Sequence, residues 1–159
     1  MVFTVEEALV TDLTKDVADF RRKDLFDSRS FSATRVEFQR PLDSARGGPA
    51  ATTVLERTDV DGQTTWKNAS GGTVETARID DALTKLSNLR AEAFQPVAHP
   101  SLKMPALTVV IRFDENRTET VTFARSGNEV YASRMDEPGS ARVDAAAFDE
   151  ALKAADALK

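Results

Sequence analysis

His99 is the only histidine of this 159-residue chain, and there is no cysteine. A histidine working as general base needs a nucleophile in reach and a carboxylate to orient it. Ser101 follows in Ala98-His99-Pro100-Ser101, without the elbow or triad context that would make it one. The expectation is a solvent-facing loop histidine. One imidazole and no thiolate exclude zinc–cysteine centres, iron–sulfur ligation and any site built on two imidazoles. Carboxylates are the remaining ligands. Asp114-Glu115 and Asp136-Glu137 fall at predicted strand ends, where a divalent ion could sit between them, although solvated turn charge is the default. Asp59-x-Asp61-Gly62 has the opening of a calcium loop, but Gln63-Thr64-Thr65-Trp66-Lys67 lacks the later ligands and the bidentate glutamate. A tight hairpin is the better reading. Gly47-Gly48 and Gly71-Gly72 match no phosphate-binding pattern, so no cofactor is expected.

Residues 21–46 hold seven basic and four acidic side chains in a chain of net charge −5. Arg21, Arg22, Lys23 and Arg29 are the candidate contacts for an anionic surface or a protein partner. A plainer account exists for three of them, since cations at a helix C-terminus complement its dipole. The acidic balance and the absence of an aromatic nucleic-acid signature argue against nucleic acid. Trp66, the single tryptophan, reads as a core anchor. Asn68-Ala69-Ser70 and Asn116-Arg117-Thr118 are formal glycosylation sequons, meaningful only in a eukaryotic secretory host.

The elements that would position these residues follow from periodicity. Thr4 and Glu7 form a capping box ahead of Val10, Leu13, Val17 and Phe20, which share one helical face. A second stripe, Ile79, Ala82, Leu83, Leu86 and Leu89, precedes Phe94 and stops at Pro96. A third helix begins at Asp144, stapled by Val143 and Phe148, and continues through Leu152, Ala155 and Leu158. Period-two alternation predicts strands at 34–38, 52–57, 64–68, 107–113, 120–125 and 129–134, with turns at Asp61-Gly62 and Ser126-Gly127-Asn128.

These blocks repeat as strand, strand, strand, helix over 33–94 and 106–158, and both helix starts carry similar runs, Ala77-Arg78-Ile79-Asp80 and Ala141-Arg142-Val143-Asp144. The predicted fold is α+β: antiparallel strands with three helices, in duplicated strand-strand-strand-helix units. Residues 1–32, a helix and linker, look like the tail of a preceding unit, so the chain reads as one domain and a fragment of a larger protein. Hydrophobic residues make up 41% and charged residues 30%, the balance of a folded globular domain. No run of about 18 apolar residues occurs, and Met1 to Glu7 lack the pattern of a signal peptide.

The run Asp16-Val17-Ala18-Asp19-Phe20-Arg21-Arg22-Lys23-Asp24-Leu25-Phe26 precedes Val36-Glu37-Phe38, then Thr53-Val54-Leu55-Glu56-Arg57, Trp66 and Leu89-Arg90-Ala91-Glu92-Ala93-Phe94. In this order the chain resembles the bacterial family called domain of unknown function 4340. Pro105-Ala106-Leu107-Thr108-Val109 and Val130-Tyr131-Ala132 are similar to that family's later strands. The resemblance implies a cell-envelope setting, on the periplasmic or extracytoplasmic side, and association with ABC-type transporters, including those of the gliding-motility type. It brings no catalytic residues. The chain departs from the family by lacking the membrane-anchoring helix and by its Gly47-Gly48-Pro49 loop. The expected function is a non-catalytic envelope accessory or assembly module that contacts other proteins, with peripheral contact to anionic membrane allowed. The alternatives are a small-ligand binding domain and a carboxylate-based hydrolase.

Overall fold

The computed structural model describes residues 21–41, 50–114 and 116–158. Nine strands form one antiparallel sheet: β1 (Ala33–Arg40), β2 (Ala51–Val60), β3 (Gln63–Asn68), β4 (Thr73–Val74), β5 (Ala91–Gln95), β6 (Leu107–Phe113), β7 (Arg117–Ser126), β8 (Glu129–Arg134) and β9 (Ser140–Val143). Their order is β4-β3-β2-β1-β6-β7-β8-β9-β5. Hairpins therefore step outward on both sides of the central β1–β6 pair, and β5 leaves its sequence neighbours to close the far edge on β9.

Local chemistry explains the hairpins. Asp61 and Gly62 both take positive φ, 52° and 79°, the two-residue geometry whose twist matches the flanking strands. Gly127, at φ 61°, turns β7 into β8. Two α-helices cover one face: α1 (Thr76–Ser87) and α2 (Ala145–Asp156). The Asp144 carboxylate accepts the Ala147 N–H at 2.6 Å, the expected cap. Ile79, Ala82, Leu83 and Leu86 of α1, with Phe148, Ala151 and Ala155 of α2, are buried against Val36, Leu55, Val109, Val121 and Phe123 of the sheet. Phe123 is the aromatic centre, its ring 5.1 Å from Phe148 and 6.2 Å from Phe26.

The architecture corrects the α+β reading with three helices. The molecule is mainly β, with two α-helices among the described residues; the helix predicted around Val10 to Phe20 lies outside them. The second stripe also ends early. Helix α1 stops at Ser87, with Asn88 as its C-cap, and residues 91–95 form β5 instead of a last helical turn. Three leucine positions set a helical period, but an open edge on β9 offers 91–95 a ladder that overrides it.

The unit of three strands and a helix is corrected too, because each block carries four strands before its helix. The similar runs at 77–80 and 141–144 occupy different structures: Ala77 to Asp80 lie within α1, while Ala141 to Val143 are β9. Short strands such as β4 and β9 are too brief to show a period.

Trp66 is the anchor expected of it. Its side chain is 1% exposed and its backbone pairs with Arg57 and Val74. Trp66→Ala is expected to cost about 3–5 kcal/mol, read as a lower urea midpoint. A midpoint near that of the wild type would take Trp66 out of the core.

Candidate functional site

Among the described residues a dense group of ionisable side chains forms where residues 21–29 cross the end of β7 and β8. The chain reaches this point on two apolar side chains, Leu25 and Phe26, both buried with the helix-side core. Core alternation along β7 and β8 points Glu119 and Arg134 to the same face, so both are buried beneath the crossing segment. Each must find partners there, since a buried charge is stable only when paired and hydrogen-bonded.

The Glu119 carboxylate accepts two backbone N–H groups, from Asp27 at 2.7 Å and Ser28 at 3.0 Å. Arg134 does the converse work. Its guanidinium donates to both Asp136 carboxylate oxygens, at 3.0 and 2.9 Å, to Asp27 at 3.1 Å and to the Leu25 carbonyl at 3.3 Å. Glu137 lies 3.4 Å from the same guanidinium. These bonds favour the charged forms. The Arg134 pKa is raised, chiefly by its hydrogen bonds to Asp136, while the Asp27 and Asp136 carboxyls are held below their ordinary range, chiefly by Arg134. The second acidic pair of the sequence is therefore spent on an arginine. Asp114 of the first pair faces Arg117 at 3.8 Å, and Glu115 lies outside the described residues. Among the described residues no cluster of three histidine, aspartate or glutamate side chains is placed to hold a metal ion.

The four predicted contact residues divide into two kinds. Arg21 is pulled inward: it donates to Glu137 at 2.9 Å, and its guanidinium lies 4.4 Å above the Phe94 ring. Arg22 pairs with Asp27, and with Asp24 at 3.5 Å. Lys23 and Arg29 are exposed, and their side chains have no partner among the described residues. The backbone here is fixed as well, because the Lys23 carbonyl accepts from the Ala91 N–H at 2.7 Å. Arg21, Arg134 and Ser140 help line a cavity of only about 20 Å³, room for about one water.

His99 is not the solvent-facing residue expected. It is half-buried, its ring parallel to Tyr131 at 3.7 Å, with Nδ1 2.8 Å from the Ser101 hydroxyl. Sequence reasoning missed the stack because Tyr131 comes from a distant strand. It missed Glu119 and Arg134 because both interrupt otherwise ordinary strand patterns. A charged residue on the apolar phase of a strand was the available signal. Asp59 accepts from the Thr64 hydroxyl at 2.6 Å, which keeps it in the β2–β3 hairpin instead of an ion site.

Fold and cluster together define a single-sheet module whose leading segment is clamped to the sheet by ion pairs. A family model described as Domain of unknown function (DUF4340) matches residues 1–105, and the chain belongs to that family. The match ends before the later strands, so the likeness noted at 105–109 and 130–132 lies beyond all but its last residue. No curated protein matches the chain, and no solved structure does.

The clamp carries a pH dependence of fixed sign. Asp27 and Asp136 have folded pKa values below their unfolded values, so their contribution is complete above about pH 5 and is lost as pH falls through the lowered values. Arg134→Leu is expected to cost about 2 kcal/mol at pH 7, because it takes the cation from the half-buried Asp27 and Glu137 and the donor from the Leu25 carbonyl. The same variant should lose less further stability than the wild type between pH 5 and pH 3, within about a pH unit on each side of an ordinary carboxyl. Urea midpoints at the three pH values read both effects. Equal acid sensitivity in the two proteins would show that Arg134 does not depress these carboxyls.

Proposed function

We propose that this chain is a non-catalytic accessory or assembly module of the cell envelope, on the periplasmic or extracytoplasmic side, which contacts other proteins within an ABC-type transporter system. Family membership supports the setting, through what the resemblance implies. The observation that carries the non-catalytic reading is the direction of the carboxyl shifts around Arg134. A general acid at neutral pH needs its carboxyl raised by desolvation, and Asp27 and Asp136 are lowered. They serve as fixed counter-charges.

The contact surface in this reading is the outer side of the clamped segment. Lys23 and Arg29 offer cations with no counter-charge among the described residues, and Phe31, 78% exposed, stands two residues beyond Arg29. A turn holds this lip in place: Arg29 O accepts from Ser32 N–H at 3.0 Å, and Phe31 O accepts from the Arg57 guanidinium at 2.7 Å. A partner with acidic side chains around an apolar pocket suits such a lip, since an aromatic anchor beside cations is a usual centre of binding energy.

The test is sedimentation with bacterial envelope vesicles at low and high salt, before and after trypsin has shaved the exposed proteins. Binding should fall about tenfold in the Lys23→Ser, Arg29→Ser, Phe31→Ser triple variant, weaken with salt, and vanish on shaving. Undiminished binding by the triple variant would overturn the assignment of the lip. Equal binding to protein-free anionic liposomes would replace the protein partner with the membrane.

A further inference from the structure

The connection from β5 to β6 crosses the sheet face opposite the helices, as a strap over β7 and β8. Tyr131 alternates with the core residues Val130 and Ala132 and so belongs to this second face. The strap is tied down at one end. His99 stacks on Tyr131 with 2° between the ring planes, and its backbone N–H donates to the Ser140 hydroxyl at 3.1 Å. From there Pro100–Lys103 form a short 3-10 helix against β7 and β8, ending at Met104, which is 74% exposed.

His99 caps this turn through its side chain. Nδ1 accepts the Ser101 backbone N–H at 3.3 Å, and lies 2.8 Å from the Ser101 hydroxyl. An Nδ1 that accepts carries no proton, so the neutral ring holds its proton on Nε2. Adding the second proton turns Nδ1 into a donor. The Ser101 hydroxyl can rotate and accept from it, whereas the Ser101 amide cannot and loses its partner. The stack itself survives, because a cation is attracted to the face of an aromatic ring.

The charged groups around the stack are few. From β8, Glu129 accepts the Tyr131 hydroxyl at 2.8 Å; from β9, Arg142 lies 3.5 Å from Glu129, and it reaches Glu92 of β5 at 3.3 Å. Lys103 is on the turn, and the β7 residues on this side of the sheet, Thr118, Thr120, Thr122, Ala124 and Ser126, carry no charge. Glu129 and Glu92 are thus partly neutralised by Arg142. Protonation of His99 therefore strengthens the anchor at Tyr131 while it releases the turn.

We propose that His99 is a proton-operated cap: neutral, it fixes the turn at 100–104 to the second face of the sheet; protonated, it lets the turn loosen while the strap stays hinged at Tyr131 and Ser140. In the loosened state Ala124, buried on this face, becomes accessible, so an acidic compartment gains a contact surface that a neutral one lacks.

Amide exchange measured by NMR, corrected for intrinsic rates, tests the device. Protection at Ser101, Leu102 and Met104 should fall about fivefold from about pH 8 to about pH 5, the effect of losing one helix cap. His99→Asn, whose side chain caps without titrating, should remove that dependence. A flat wild-type profile, or the same fall in His99→Asn, would overturn the proposal. Nitrogen-15 shifts of the wild-type imidazole supply a check that needs no variant: the neutral form must carry its proton on Nε2, and the Nδ1–H tautomer would overturn the cap.

Discussion

Arg134 is the charge on which this end of the molecule depends. Two neighbouring strands that place a glutamate and an arginine on their apolar phase cannot bury them against the helices, because the helices' aliphatic faces offer no partners. The segment at 21–29 resolves this. It brings a carboxylate, a carbonyl and two backbone N–H groups to β7 and β8, and it brings Leu25 and Phe26 to the core in the same stroke. The apolar contacts supply the attraction and the polar contacts set the register. A displacement by one residue would leave Glu119 without its two donors and Arg134 without Asp27. Specificity of this kind is what buried polar groups contribute when they add little net stability.

The same clamp explains why basic residues adjacent in sequence differ in role. Arg21 and Arg22 are consumed by Glu137, Asp24 and Asp27, which leaves Lys23 and Arg29 facing outward. Charge counting along the chain treats the four alike. Only the path of the backbone separates them, and that path is set by residues more than ninety positions away.

Much of the sheet was legible in the sequence. Alternation at 34–38, 107–113 and 129–134, and the Asp61-Gly62 turn, are local signals of local structure. Trp66 and the Asp144 cap belong with them. What stayed hidden depends on distant partners. The leucine stripe carried the eye past Ser87 into β5, whose strand form exists only because β9 is there to pair with it. Likewise the run Ala141-Arg142-Val143 reads as a helix start beside Asp144 and is part of β9, paired on one side with β8 and on the other with β5. Of the candidate site, the basic residues were visible by type, but Glu119, Arg134 and Tyr131 gain meaning only through chain segments far from them.

The exchange of β5 across the sheet has a consequence for how the chain can be divided. The family match ends at residue 105, between β5 and β6, yet both strands that β5 and β1 need lie beyond that point. A polypeptide cut there would keep β5 with no ladder and would bare the whole inner edge of β1, an open template for pairing with other chains. Its Glu119 and Arg134 partners would be gone as well. Because the central and outermost pairings join residues far apart in sequence, loop closure must precede them, and folding should be slow for a domain of this size. The stretch that the family model matches is therefore shorter than the sheet that folds.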